Sequence, residues 1–281
     1  MKQRTVFLDI DGTLLPFGDQ QIAPENHKAI KLARRKGHKV YICTGRGADA
    51  VGMVEPKEVD GFVLVNGCMV IENNQVVYED IMPMDIVDDI VNDALSYGMG
   101  VFLSGRKDYI LGKRREEVET QNYHRPMPNE HHQRMLKIYN NGTDYHDSAI
   151  YKVNVTTYDV EKTRPIIDQW GTKYTVVPGS IMPNSNQYYE ITGKASNKYE
   201  GIKWVCKTHG YDLNGVIAIG DSMNDYEMIR DAALGIAMGN GEPTIMAVSK
   251  WVTKPSEELG VAFALNKELN LGMDELWPLN H

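Results

Sequence analysis

A doubly wound α/β core with a parallel sheet, interrupted by an α+β insert, is the fold class this sequence predicts, and three observations predict it. Short apolar runs at Thr5–Leu8, Lys39–Cys43 and Gly215–Ile219 lead into polar or acidic groups beside glycine, as buried parallel strands ending in turns do. Helical patterns alternate with such runs up to about residue 82 and again after about residue 192, the alternation of a parallel sheet covered on both faces. Between those stretches the order changes, and strands follow one another closely enough to pair as hairpins. At 281 residues the chain has room for about two domains, each with its own core.

Taken in order, Thr5-Val6-Phe7-Leu8 runs into Asp9-Ile10-Asp11-Gly12-Thr13-Leu14. Ligands of open α/β sheets sit at the carboxyl ends of strands, so Asp9 and Asp11 stand where chemistry is normally done. Two acids so close together call for a hard cation such as Mg²⁺; the plainer alternative is a strand end with capping aspartates. Pro24 to Lys36 reads as a helix with Ala29, Ile30 and Ala33 on one face and Gly37 as its stop. Lys39–Cys43 ends in Thr44-Gly45-Arg46, where a hydroxyl and a flexible backbone N–H can both donate to phosphoryl oxygens. Gly61–Val65 is a further strand, closed by Asn66-Gly67.

The middle, 83–191, reads as an α+β domain. Helices are expected at Asp85–Tyr97, Glu130–Tyr139 and Asp159–Trp170, and strands at Val101–Ser104, Tyr109–Lys113, Ala149–Thr157, Tyr174–Val177 and Tyr188–Thr192. Lys113-Arg114-Arg115-Glu116-Glu117 reads as an exposed mixed-charge face. Glu130-His131-His132 lacks the H-E-x-x-H spacing of a metal helix and reads as a solvated helix start, while Met82, Met84, Met127 and Met135 read as packing. After residue 192, Lys198 opens a helix with Ile202, Val205 and Cys206 at helical spacing; alone it would be a solvated residue. Gly215–Gly220 is a strand with the acidic tip Asp221-Ser222-Met223-Asn224-Asp225, in which Asn224 and Asp225 are equally well explained as helix caps. A helix over Asn224–Ala233, the stretch Gly235–Gly241, a helix after Pro243, a short strand at Trp251–Thr253 and a helix near Glu257–Asn266 complete the order.

Composition narrows the function classes. With 42% hydrophobic and 24% charged residues the chain is not a disordered one. A net charge of −8 speaks against a nucleic-acid partner, and no protein partner is implied. Cys43, Cys68 and Cys206 have no metal-like spacing and read as reduced, buried thiols, consistent with a cytoplasmic location. The apolar run after Lys2 and Arg4 meets Asp9 too soon for a signal peptide, and no segment reaches the length of a membrane span.

Asp9-Ile10-Asp11-Gly12-Thr13-Leu14 resembles the first motif of the haloacid dehalogenase (HAD) superfamily of phosphohydrolases. Thr44-Gly45, Lys198 and Gly220-Asp221-Ser222-Met223-Asn224-Asp225 supply the family's later motifs in the same order. The resemblance implies a Rossmann-like catalytic core over 1–82 and 192–281 and a cap domain over 83–191. The cap's position and its order of elements, with Asn66-Gly67, Gly235–Gly241 and Gly260-Val261-Ala262, are similar to the Cof-like, type IIB subfamily. One departure is Tyr199, where that subfamily more often has glycine after the lysine.

The same resemblance implies the site. Asp9 would be the nucleophile and Asp11 the general acid/base, with Thr44, Gly45, Lys198 and Asn224 binding the phosphoryl group. Mg²⁺ would be held by the Asp9 carboxylate, the Asp11 backbone carbonyl and Asp221, with Asp225 behind them. Charge balance adds Arg46, because an acidic protein that handles phosphate must make its site locally positive. The activity implied is a Mg²⁺-dependent phosphatase acting on small-molecule phosphate esters, sugar phosphates above all, through an aspartyl-phosphate. The alternatives it leaves open are a phosphosugar mutase and a non-catalytic phospholigand-binding regulator.

Overall fold

The computed structural model describes residues 2–123, 129–178, 188–194 and 196–277. They fall into two compact units, one joining Met1–Glu79 to Asn197–His281 and the other spanning Asp80–Ser196.

The first unit is built on strands β1 (Thr5–Leu8), β2 (Lys39–Cys43), β3 (Gly61–Leu64), β4 (Met69–Glu72) and β5 (Gln75–Glu79). To these the second stretch of the unit adds β11 (Val216–Gly220), β12 (Leu234–Ala237) and β13 (Trp251–Val252). The strand order is β13-β12-β11-β1-β2-β3-β4-β5. From β13 to β3 neighbouring strands run parallel. Alternation of side chains sends Phe7, Tyr41, Val63 and Ala218 to one face, where they bury against α6 (Lys198–His209), α7 (Tyr226–Asp231) and α8 (Pro243–Val248). It sends Val6, Leu8, Val40 and Ile42 to the other. Two further helices of this unit, α1 (Pro24–Arg35) and α9 (Gly260–Leu269), are tied by a hydrogen bond from Ala262 N to Asn26 Oδ1 at 3.0 Å.

The sheet is not wholly parallel, as strict alternation had implied. Strands β4 and β5 extend it as an antiparallel hairpin after β3. Asn73 and Asn74 make the turn with φ of 50° and 62°, which asparagine tolerates better than most side chains. The expected helix over 224–233 is a 3₁₀ turn at Met223–Asp225 followed by the short α7. The last helix starts later than expected because Ser256–Glu258 form a 3₁₀ turn and Leu259 has φ of 62°.

The second unit is an antiparallel sheet of β6 (Gly100–Gly105), β7 (Tyr109–Gly112), β8 (Ile150–Thr156), β9 (Thr175–Pro178) and β10 (Tyr188–Thr192), in the order β7-β6-β8-β10-β9. Its helices are α2 (Met84–Ser96), α3 (Lys113–Thr120), α4 (Asn129–Tyr139) and α5 (Val160–Lys173). Val87 and Ile90 of α2 and Ile166 and Trp170 of α5 bury against Val101, Val153 and Val155 of the sheet. The connectors on both sides belong to this unit: Met82 N donates to Ile150 O at 2.9 Å, and Ser196 Oγ donates to Asp80 Oδ2.

One expectation fails outright. The run Lys113–Glu117 is not simply an exposed charged face but most of α3, and Glu117 is buried with Val118. Arg114 Nη1 lies 3.2 Å from Glu117 Oε2, so the partner that makes this burial tolerable stands one turn away. Met82 and Met135 are buried as packing; Met127 and the side chain of His131 lie outside the described residues. No helix among the described residues is long and apolar enough to cross a membrane.

Candidate active site

Three neighbouring parallel strands deliver the site. Leu8 is in register with Ile42 of β2 and Ile219 of β11, so the next residues bring Asp9, Thr44 and Asp221 to one edge of the sheet. Asp9 is buried and its N–H donates to Ile219 O at 3.1 Å. Gly12 turns the chain with φ of 75°, and a Cβ there would strike the Asp221 carboxylate. Only glycine lets the second carboxylate approach the turn. Thr13 Oγ1, fully buried, donates to Asp221 Oδ1 at 2.7 Å. Asn240 Nδ2 donates to Gly12 O at 2.8 Å and braces the same turn.

Lys198 is completely buried at the start of α6. Its Nζ donates to Asp9 Oδ1 at 2.7 Å, Asp225 Oδ1 at 2.6 Å and Asn224 Oδ1 at 3.2 Å. The helix can begin there because Asn197 Oδ1 accepts from Glu200 N at 3.1 Å, an amino-terminal cap. It can lie close to the loop after β3 because two glycines meet. A Cβ on Gly67 would run into Asn197 O, and one on Gly201 would lie 3.0 Å from Gly67 Cα. Val65 and Asn66 both have positive φ, 51° and 55°. For a β-branched residue that is strained backbone, and here it brings Asn66 Oδ1 to 3.4 Å from Asn224 Nδ2. Tyr199 is half-buried in α6 against the core of the first unit.

Asp225 does two jobs. Its Oδ1 accepts from Lys198, while Oδ2 accepts from the N–H groups of Asp221 at 2.9 Å and Ser222 at 3.0 Å. The same carboxylate therefore caps the 3₁₀ turn and pairs the lysine, and Gly220 has no side chain because a Cβ there would meet Asp225. Asn224 Oδ1 also accepts from Ser222 Oγ at 3.0 Å.

The Asp11 side chain pairs with Arg46. Arg46 Nε donates to its Oδ2 at 2.8 Å and Nη2 to its Oδ1 at 2.5 Å. Arg46 Nη1 donates to Ala50 O at 2.8 Å, and Arg46 N to Thr44 Oγ1 at 3.3 Å. Thr44 is itself buried, with its N–H donating to Val63 O at 2.9 Å; Gly45 lies between these two residues, half-buried.

Charge at the centre does not balance. Asp9, Asp221 and Asp225 offer carboxylate oxygens within 4.8 Å of one another, against the single ammonium of Lys198. Burial, and then the Asp225 charge, push the Asp9 carboxyl up to about 7, against the pull of Lys198. Burial, Asp225 and Asp9 likewise hold Asp221 well above the carboxylate range. Burial disfavours the charged form of Lys198, yet Asp225 and Asp9 outweigh it and keep the ammonium protonated far above its ordinary range. Among the described residues nothing donates to Asp9 Oδ2 or Asp221 Oδ2. An all-oxygen donor set with excess negative charge fits a hard divalent cation. Cys43 lies behind the site, buried and free, with burial pushing its thiol up, so it is not a candidate nucleophile.

Sequence reasoning gave no role to Thr13, Asn66 or Asn240. Each sits in a stretch that drew notice for other reasons, and their side chains become partners of the site only through contacts distant in sequence.

Comparison with known proteins completes the description. A family model described as haloacid dehalogenase-like hydrolase matches residues 6–265. The chain is 26% identical over 275 residues to YkrA of Bacillus subtilis, which carries a provisional phosphatase name, across 96% of this chain and 99% of that protein. It is 26% identical over 265 residues to the 5-amino-6-(5-phospho-D-ribitylamino)uracil phosphatase YcsE of Bacillus subtilis, across 93% of this chain and 94% of that one. Its fold is similar to the solved structure of a HAD subclass IIB sugar phosphatase, with a TM-score of 0.75 at 20% identity over 96% of this chain and 100% of that chain.

Proposed function

The chain belongs to the haloacid dehalogenase-like hydrolases, and from that premise we propose that it frees phosphate from small phosphorylated metabolites through a covalent phosphoryl group on Asp9. As a member with phosphatases among its relatives it is a phosphoric monoester hydrolase. The observation that carries the mechanism is the lysine: Nζ of Lys198 holds Asp9 Oδ1 at 2.7 Å and leaves the other carboxylate oxygen to attack.

Asp9 attacks phosphorus, the bond to the ester oxygen breaks, and Asp11 gives its proton to the leaving alkoxide. Asp11 then takes a proton from the water that attacks the aspartyl-phosphate, phosphate departs and the Asp9 carboxylate returns. Lys198 offsets the charge shared between Asp9 and the phosphoryl group, while the Thr44 hydroxyl, the Gly45 N–H and Asn224 donate to its oxygens. Asp225 holds Lys198 and the Asp221 turn in place. Mg²⁺, held by the Asp9 and Asp221 carboxylates and the Asp11 carbonyl, would neutralise the phosphoryl oxygens and complete the positive charge of the site.

For the substrate class we propose sugar and polyol phosphates. YcsE is named for a phosphate ester on a ribityl chain, and the structural neighbour is described as a sugar phosphatase. Residues 80–196 we assign as the type IIB cap that selects among them, and residues 1–79 with 197–281 as the catalytic core. The three free, buried cysteines suit a reducing cytoplasm. A panel of sugar and polyol phosphates assayed with Mg²⁺ for phosphate release tests the reading. Turnover that disappears on chelation and in Asp9→Asn is expected; no release from any ester, or release that survives Asp9→Asn, overturns it.

A further inference from the structure

Arg46 is a second cation, beside Lys198, that the charge balance would assign to substrate, and its geometry points to another partner. Two of its nitrogens, Nε and Nη2, meet the two oxygens of Asp11 side by side at 2.8 and 2.5 Å. The third, Nη1, is spent on Ala50 O at 2.8 Å. Three of the five guanidinium N–H donors thus serve oxygens of this chain, and Nη1 also lies 3.9 Å from Met53 Sδ. Asp11, for its part, has no other side-chain partner among the described residues. It sits in the turn after β1 with its side chain about one-third exposed (32%). An aspartate so placed would exchange rotamers freely if nothing held it.

We propose that Arg46 is a positioning residue that acts through Asp11 and does not bind substrate. A planar fork fixes both the rotamer and the plane of a carboxylate, which a point charge does not do. The anchor at Ala50 and the Arg46 N–H bond to Thr44 Oγ1 at 3.3 Å make the fork part of the strand-end loop. Each Asp11 oxygen keeps a lone pair outside the fork, and through that lone pair the proton of the reaction passes. Arg46 gains and loses no proton. The inference rests on the acid/base role given to Asp11 above and extends it.

A double-mutant cycle of Arg46→Ala with Asp11→Asn decides the matter. Arg46→Ala should lower kcat on a sugar phosphate roughly 10- to 100-fold with KM within about twofold of wild type, the pattern of a group that acts in the transition state alone. Arg46→Lys should recover only part of that loss. In the Asp11→Asn background, Arg46→Ala should change kcat less than about twofold, because the two residues act as a unit. Additive losses, or a rise in KM at unchanged kcat, overturn the proposal. Calorimetric binding of inorganic phosphate, with Mg²⁺ present, gives a readout independent of turnover. Its Kd should be the same for wild type and Arg46→Ala, and weakening of about tenfold would return Arg46 to the phosphoryl group. Circular dichroism of both variants guards against misfolding. Failure of the hydrolase reading itself shows separately, as wild-type turnover that does not depend on Asp9.

Discussion

Each unit of the molecule buries a lysine against carboxylate, and the two sites differ in how their charges add up. In the second unit Lys152 Nζ lies 3.1 Å from Glu190 Oε1, with side chains 4% and 6% exposed. Beside them Asn154 accepts from Tyr188 Oη at 3.0 Å and donates to Phe102 O at 3.0 Å, which locks three neighbouring strands across one face. In the first unit one lysine faces Asp9 and Asp225, and Asp221 stands in the same group. A cation paired with a carboxylate across neighbouring strands helps to specify register. A cation outnumbered by acids leaves negative charge that only a further positive group can offset. The first arrangement reads as architecture and the second as a site, although both lysines would look alike in a burial profile.

That contrast can be broken or sharpened by substitution. The largest effect belongs to Asp9→Asn, which should leave no measurable turnover while the protein stays folded. Removing one acid from the overcharged cluster should leave the metal-free protein at least as stable as wild type, checked by urea denaturation. Next is Lys198→Ala. Activity should fall roughly 10²–10³-fold, the size of effect seen when a charge-stabilising donor is lost. Stability should fall by about 3–5 kcal/mol, since buried carboxylates lose their cation. Unchanged stability would mean that the cluster relaxes by taking up protons. Glu190→Gln in the second unit should cost about 3 kcal/mol in the same denaturation experiment. It should not change the gain in Tm on adding Mg²⁺, because that gain arises in the other unit.

The smallest effect is a pH dependence. The folded carboxyl of Asp9 is pushed from 3.8 up to about 7, so between those values the native state binds more protons than the unfolded chain. Its contribution to stability is therefore full at low pH and is lost as pH rises through about 7. Asp221 is shifted in the same direction. In chelator, the Tm of wild type relative to Asp9→Asn should fall by a few degrees between pH 5 and pH 8. Mg²⁺, which replaces those protons, should raise Tm more at the upper end. A relative Tm that climbs with pH would show that the acids are not crowded in solution.

Most of the architecture was legible because it is local. Thr5–Leu8, Lys39–Cys43 and Val216–Gly220 are continuous apolar strands closed by glycine-bearing turns, and α1 ends at the Gly37 that the sequence marks as its stop. The β4–β5 hairpin was missed because its Asn73-Asn74 turn carries neither glycine nor proline. Helix α3 was missed because its charged residues have almost no apolar face; Glu117 is buried by a partner and not by periodicity. At the candidate site, residue types and order pointed to Asp9, Thr44, Lys198 and Asp221, which lie at strand ends or beside them. They could not reveal that Arg46 turns to Asp11, or that Asp225 serves Lys198 and a backbone turn at once. Those facts depend on side-chain direction, over separations from four residues (Asp221 to Asp225) to 35 (Asp11 to Arg46), which no spacing rule encodes.

The meeting of Gly67 with Gly201 has a consequence for how this protein can change. Where side chains separate two elements, a substitution shifts them by tenths of an ångström and neighbours absorb the error. Here main chain touches main chain, and a Cβ on Gly67 would strike the carbonyl of Asn197, the residue that precedes the buried lysine. A Cβ on Gly201 would meet Val63 Cγ1 at 2.5 Å before it met the Gly67 main chain. A side chain at Gly67 would have to push back the main chain that leads into Lys198, so enlarging this position should displace the ammonium itself.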